Sequence, residues 1–288
     1  MFRAQPQAPR TNRNAGMLNR NARVWEDSAE VPSVRRGGFK HVLTETSPRM
    51  LLQAIVPLTS VVAMTSLFTI MDRALTRLGY AKPYYAVHVF HNAAIVAVTA
   101  RDVYASFTDF TNVTQYPTAW TAVFLCYALH LYHLYVYHKV FYLDDWLHHG
   151  LMVALALPLG STVAAGALMG ANLFFTTGLP GGINYAMLFA EKNGWITQAT
   201  RKRVNTPVHV WMRGPGCTAV ATLIAATAWS SADASMWHRV AATATAALTF
   251  WNGIYFMQQV LLSNTRGGAL ADASSKGPGQ GTKVAHVQ

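Results

Sequence analysis

Between Tyr127 and His149 the chain reads YALHLYHLYVYHKVFYLDDWLHH, a stretch with five histidines, five tyrosines and two aspartates. Imidazoles beside carboxylates suit proton transfer, nucleophilic catalysis or metal binding. On a helix, Asp144 and His148 are i, i+4 neighbours, as are Asp145 and His149, and Asp145 also reaches His148 at i, i+3. A carboxylate so placed fixes the imidazole tautomer and raises its basicity, as a general base or nucleophilic histidine requires. The same aspartates also suit a plain helix start, where they complement the helix dipole.

Further polar residues recur at helical spacing. His88, His91 and Asn92 fall at i, i+3 and i+4, and His130 and His133 at i, i+3, with Tyr137 on a nearby face. Seven of the eleven histidines lie between His88 and His149, too concentrated for chance dispersal. Asn172, Thr176, Thr177, Asn184 and Tyr185 surround a Gly178–Gly182 segment that the glycines and Pro180 predict to be a helix break. Arg213, in WMRGPG, needs a partner, for which Asp144, Asp145 or a lipid phosphate are expected. Arg101 and Asp102 read as snorkelling or helix-pairing residues. The spacings His88-x-x-His91, His130-x-x-His133 and Asp145-x-x-His148-His149 are too few paired ligands for a metal assignment, though a di-iron lipid desaturase or hydroxylase stays an alternative. No G-x-S-x-G elbow or phosphate-binding glycine loop is present.

The elements that would carry these groups are apolar. Of 288 residues, 52% are hydrophobic and 12% charged, about half the charge of a soluble domain. Long apolar runs predict an all-α, polytopic membrane bundle of about seven spans. These are Met50–Met71, Tyr84–Phe107, Thr118–His138, Leu143–Leu159, Ser161–Ala190, Val208–Trp229 and Trp237–Leu262. Residues 1–48 read as a basic disordered tail, 49–263 as the transmembrane domain and 264–288 as a disordered tail. The net charge of +11 sits in the tails and between the spans, which fits anionic headgroups and argues against nucleic acid. Five arginines and no acid before Trp25 also fit a mitochondrial or plastid transit sequence. Loop charges favour a cytosolic C-terminus and place the sequon Asn112-Val113-Thr114 in the lumen. Cys126 and Cys217 read as small buried residues.

In span order and motifs the chain resembles the TLC-domain family, which includes translocon-associated, longevity-assurance and ceramide-synthase proteins. The matching features are His88 or His91 opening the second span, the acidic pair then His148-His149 opening the fourth, the polar fifth span from Asn172 to Tyr185, and Val210-Trp211-Met212-Arg213 in the sixth. The resemblance covers roughly residues 50–262. It implies a bundle around a lipid-accessible polar cavity in the endoplasmic reticulum or a related membrane, and a protein that binds, senses or transfers lipid acyl chains. An acyl-CoA-dependent N-acyltransferase of ceramide-synthase type is the enzymatic alternative, with acyl-CoA as co-substrate and no further cofactor. His149 would then be nucleophile or base, Asp145 would orient it, and His148, His91 and Asp144 would assist. His88, Asn92, His130, His133, Tyr137, Asn172, Thr176, Asn184 and Arg213 would line the substrate site. Membrane lipids are the implied partners, and a homodimer is compatible. The acids downstream of His149 are Glu191, Asp233 and Asp272, with no His-Asp-x-x-Asp pattern, so the chain lies nearer the members that are not ceramide synthases.

Overall fold

The computed structural model describes residues 48–163 and 166–275. The expected tail over 1–48 therefore lies almost wholly outside the described residues, as does the chain after Ser275. Helix is the regular structure throughout the described part, so the fold is all-α. α1 is Pro48–Arg77, α2 Pro83–Thr108 and α3 Trp120–Tyr137. α4 (Leu143–Leu151) and α5 (Leu157–Thr162) are joined by a π turn, Met152–Ala156. α6 (Ala167–Leu173) and α7 (Leu179–Lys192) are joined by a second, Phe174–Gly178. α8 (Gln198–Val208) and α9 (Gly214–Ser230) are joined by a third, His209–Arg213, and α10 runs from Met236 to Ser275. Counting each joined pair once gives seven helical rods among the described residues, and α1 contains the stretch Ile55–Arg77 that is long and apolar enough to cross a membrane alone.

Each π turn has the same cause. Pro158, Pro180 and Pro215 stand second in the segments that follow the three turns. Proline has no N–H, and its ring clashes with the carbonyl four residues back. A wider turn relieves that clash: the N–H groups of Leu157, Leu179 and Gly214 reach five residues back, to Met152, Phe174 and His209. The chain thus bends without stopping, and the expected break at Gly178–Gly182 is instead a continuous rod. The interruption lies earlier, before α6. There Gly166 has φ 54°, and a Cβ on it would collide with the Val113 carbonyl oxygen and meet that of Tyr116 at 2.8 Å. The close passage beneath the 3-10 turn Phe110–Gln115 leaves room for glycine only.

Two other boundaries differ from expectation. The basic segment containing Arg201, Lys202 and Arg203 is helical, started by Thr197, whose hydroxyl accepts from the Thr200 N–H at 3.2 Å, and tied to α7 by an Arg201–Glu191 ion pair. α10 continues past Leu262 through the Gly/Ala-rich segment.

α2 runs through the centre, packed against α1, α3, α6 and α7. One apolar cluster gathers Phe68, Val87, Ile95, Ala122, Leu125, Leu129 and Tyr132 from α1–α3. A second, rich in alanine, joins the end of α2 to α6, α9 and α10. Small residues set the α9–α10 spacing: a Cβ on Gly253 would stand 2.6 Å from that of Cys217. Cys126 and Cys217 are both buried free thiols, on α3 and α9.

Candidate functional site

The buried stripe of α2 is polar. His88, His91, Asn92, Thr99, Asp102 and Ser106 face inward with Val87, Ile95 and Ala105, whereas Phe90, Val98, Tyr104 and Phe107 face out. The inward spacing of three and four residues is that of an amphipathic helix turned inside out.

Five imidazoles from three helices meet beside that stripe. The His88 ring lies 4.6 Å from that of His133, centre to centre, and stacks on Tyr185 at 3.8 Å. The His149 ring is 5.2 Å from both His130 and His133 and 5.3 Å from His148, and His130 is 5.5 Å from His148. Phe141 stacks on the far face of His149 at 4.7 Å. His88, His91, His130, His133 and His149 are buried, and His148 is exposed.

Several rings have assignable tautomers. Nδ1 of His88 lies 2.8 Å from the Tyr84 carbonyl oxygen, that of His130 2.7 Å from Cys126 O, and that of His209 3.0 Å from Asn205 O. A carbonyl oxygen can only accept, so Nδ1 carries the proton and, in the neutral ring, Nε2 holds the lone pair. His91 Nδ1 donates to Asn92 Oδ1 at 2.9 Å, and the Thr177 hydroxyl donates to the same oxygen at 3.0 Å. Asn92 thereby ties α2 to the second π turn, and Gly181 and Gly182 allow the approach: a Cβ on Gly181 would stand 3.0 Å from Asn92 Nδ2. His91 Nε2, Asn92 Nδ2, Tyr132 Oη, His133 Nε2 and His149 Nδ1 are buried without a protein partner.

The carboxylates are used differently from expectation. Asp145 accepts from the Tyr142 N–H at 2.9 Å and so caps the start of α4. Asp144 is exposed, and among the described residues no hydrogen bond or ion pair joins either aspartate to His148 or His149. The reason is geometric: the free N–H groups of a helix start lie nearer to these carboxylates than imidazoles one turn on. The acid beside the histidine region is Asp72, which the sequence reading placed in a connecting loop. It lies on α1, 4% exposed, and accepts from the Tyr137 hydroxyl at 2.8 and 3.0 Å. Its signal was the helical period, which runs on through Thr65, Phe68, Thr69 and Asp72. Asp102 is also buried, at 7% exposure rather than snorkelling, with its carboxylate against Gly170, where any Cβ would collide with it.

Arg213 occupies a second polar centre. It is 6% exposed; its Nη2 donates to the Thr176 carbonyl oxygen at 2.5 Å and to Asn252 Oδ1 at 3.0 Å, and its guanidinium lies 4.0 Å over the Phe256 ring. Neither Asp144 nor Asp145 pairs with it. Thr176 is four residues before Pro180, so its carbonyl has no helical donor, and Arg213 supplies one. Asn172 Oδ1 accepts from Thr249 Oγ1 at 2.9 Å, and Asn184 Oδ1 accepts from Asn205 Nδ2 at 2.7 Å; both are interhelical ties on this side. His209, Asn205, Asn252 and Phe256 were missed by sequence reasoning; for Asn205 and His209 the successive four-residue steps from Asn205 to His209 and from His209 to Arg213 were the available signal.

The expected sites therefore fall into two groups. His88, His91, Asn92, His130, His133, His148 and His149 come together, while Tyr137 binds Asp72 and Arg213 gathers with Thr176; Asn172 and Asn184 make separate ties. A small cavity lies elsewhere, lined by Gly160, Val163, Met169, Asn172 and Thr245 among others. Among the described residues, no set of three or more His, Cys, Asp or Glu side chains is arranged to hold a metal ion. No protein-family model, curated protein or solved structure matches this chain, and the likeness to the TLC-domain family rests on the motifs quoted above.

Proposed function

We propose that this is a multi-pass membrane protein that binds a lipid between its histidine cluster and α7. The observation that carries this reading is the inversion of polarity across the rods. Ile55, Leu58, Val62, Leu67 and Ile70 on α1, Phe90, Tyr104 and Phe107 on α2, and Trp251, Tyr255 and Leu261 on α10 are exposed, while histidine, asparagine, aspartate and arginine are buried. Water penalises that arrangement and a bilayer favours it. Trp120, Trp146, Trp195, Trp229 and Trp237 are exposed at or beside rod ends, as interfacial anchors are. The side chains of α7 from Ile183 to Ala190 are all half-buried, on every face of that helix, which suits a groove wall.

Binding is favoured over catalysis because, among the described residues, no carboxylate is hydrogen-bonded or ion-paired to His148 or His149. The lone pairs on Nε2 of His88 and His130 favour acyl transfer as the second reading, since a buried neutral imidazole with a free Nε2 can act as base or nucleophile.

The test is mass spectrometry of the detergent-purified full chain, beside His149→Ala, with and without a long-chain acyl-CoA. Lipid retained by native protein, with no covalent gain, is the expected result. A gain of one acyl group in wild type alone would replace the binding reading with acyl transfer. Absence of both lipid and adduct would sink the two together.

A further inference from the structure

The arginine centre carries a statement about ligand chemistry, and it rests on the lipid-binding reading. Arg213 is a buried cation that has no ion-pair partner among the described residues. Among the described residues the ion pairs are those of Glu191 with Lys192 and Arg201, and Arg213 has none. Its protein partners are a carbonyl, an amide and an aromatic face, all neutral. Of its five N–H groups only those on Nη2 are used, and Nε–H is buried without an acceptor. A guanidinium in that state is short of an acceptor that is also an anion.

The surroundings say where such an anion would lead. Thr176 and Thr177 are adjacent on the second π turn; the first accepts from Arg213 and the second donates to Asn92, in the histidine stripe. Tyr185, on α7, stacks on His88, whose ring lies 4.6 Å from that of His133. The arginine and the histidine stripe thus meet two adjacent residues of one short segment.

We propose that Arg213 binds an oxyanion, a phosphate or carboxylate, and so selects amphiphiles with an anionic head over neutral ones of the same chain length. An oxyanion would give the remaining N–H groups of that guanidinium a charged acceptor, which a neutral headgroup does not supply. Either a lipid headgroup or a free anion could bring that chemistry.

The experiment measures binding of dioleoyl phosphatidic acid, oleate and dioleoylglycerol to the full chain in detergent, with inorganic phosphate as competitor. Wild type is expected to prefer at least one of the two anionic ligands to dioleoylglycerol by about tenfold or more, as a charge-assisted hydrogen bond is worth. Arg213→Gln should abolish the preference. Asn252→Asp provides an independent variant should the first not fold: its carboxylate would take the guanidinium from within, abolishing the preference while raising the melting temperature. Phosphate that displaces the anionic ligand only from proteins retaining Arg213 unpaired would identify the anion itself as the recognised group and support the proposal. Equal affinity for all three ligands, or a preference unchanged in Asn252→Asp, overturns it. Tight binding of dioleoylglycerol without anion preference would leave the lipid reading standing alone, so the two fail separately.

Discussion

Asp72 and Arg213 are both buried charged side chains, yet they are held in opposite ways. Asp72, on the histidine side, is met by one side-chain group, the Tyr137 hydroxyl, which lies within hydrogen-bond distance of both carboxylate oxygens. Arg213 is held by a backbone carbonyl that Pro180 has left free, and by Asn252 and Phe256. The first arrangement can rearrange by rotating a side chain. The second is fixed by backbone. Around Asp72 lie neutral rings that touch face and edge; around Arg213 lie directed bonds. One side of the bundle therefore holds its buried charge through a side-chain hydroxyl, the other through a backbone carbonyl, an amide and a ring.

The comparison breaks most readily at Tyr137. Tyr137→Phe keeps the ring contacts with Tyr84 and Tyr132 and removes both hydrogen bonds to Asp72. A buried carboxylate that loses its donors costs about 2–4 kcal/mol. A clear fall in melting temperature in detergent is expected, with Asp72→Asn losing less because its amide still accepts from Tyr137. If Tyr137→Phe melts as wild type does, Asp72 is not held by that hydroxyl and the contrast with Arg213 disappears.

Asn92 joins the two sides and should show an intermediate effect. Asn92→Leu leaves His91 Nδ1 and Thr177 Oγ1 without their shared acceptor, a loss of about 1–3 kcal/mol. Asn92→Asp keeps an acceptor and should recover most of the loss. If both variants are equally destabilised, packing against Gly181 and Gly182 matters at this position and the hydrogen bonds do not.

The helices were legible in the sequence from their apolar runs, and among the described residues Ile55–Arg77 is the one stretch long and apolar enough to cross a membrane. Span ends at Leu143 and at Tyr137–His138 agree with α3 and α4 to within a residue or two. The errors cluster at proline and at charge. Pro180 among glycines reads as a break; whether the chain stops or widens into a π turn depends on the neighbour that takes the freed carbonyl, and Arg213 is 37 residues away. Asp72 beside Arg73 and Arg77 reads as a loop, since charge after an apolar run usually marks a span end. Its burial depends on Tyr137, which is 65 positions on. The histidines were grouped correctly by spacing. Asp145 was not, because helix spacing alone does not separate a carboxylate that orients an imidazole from one that caps its own helix.

His148 should show the smallest effect on stability, and for that reason separates structure from chemistry most cleanly. It is exposed on α4, touches His130 and His149 only through ring edges and faces, and caps nothing. An exposed side chain of that kind contributes within about 0.5 kcal/mol, so His148→Ala should melt with wild type. Its ring lies 5.5 Å from that of His130 and 5.3 Å from that of His149, so a ligand reaching those buried rings would touch it. A drop in retained lipid at unchanged melting temperature is therefore expected. Unchanged lipid at unchanged melting temperature would confine the ligand to the buried rings of His88, His133 and His149, and the exposed face of α4 would then contribute no group to the site.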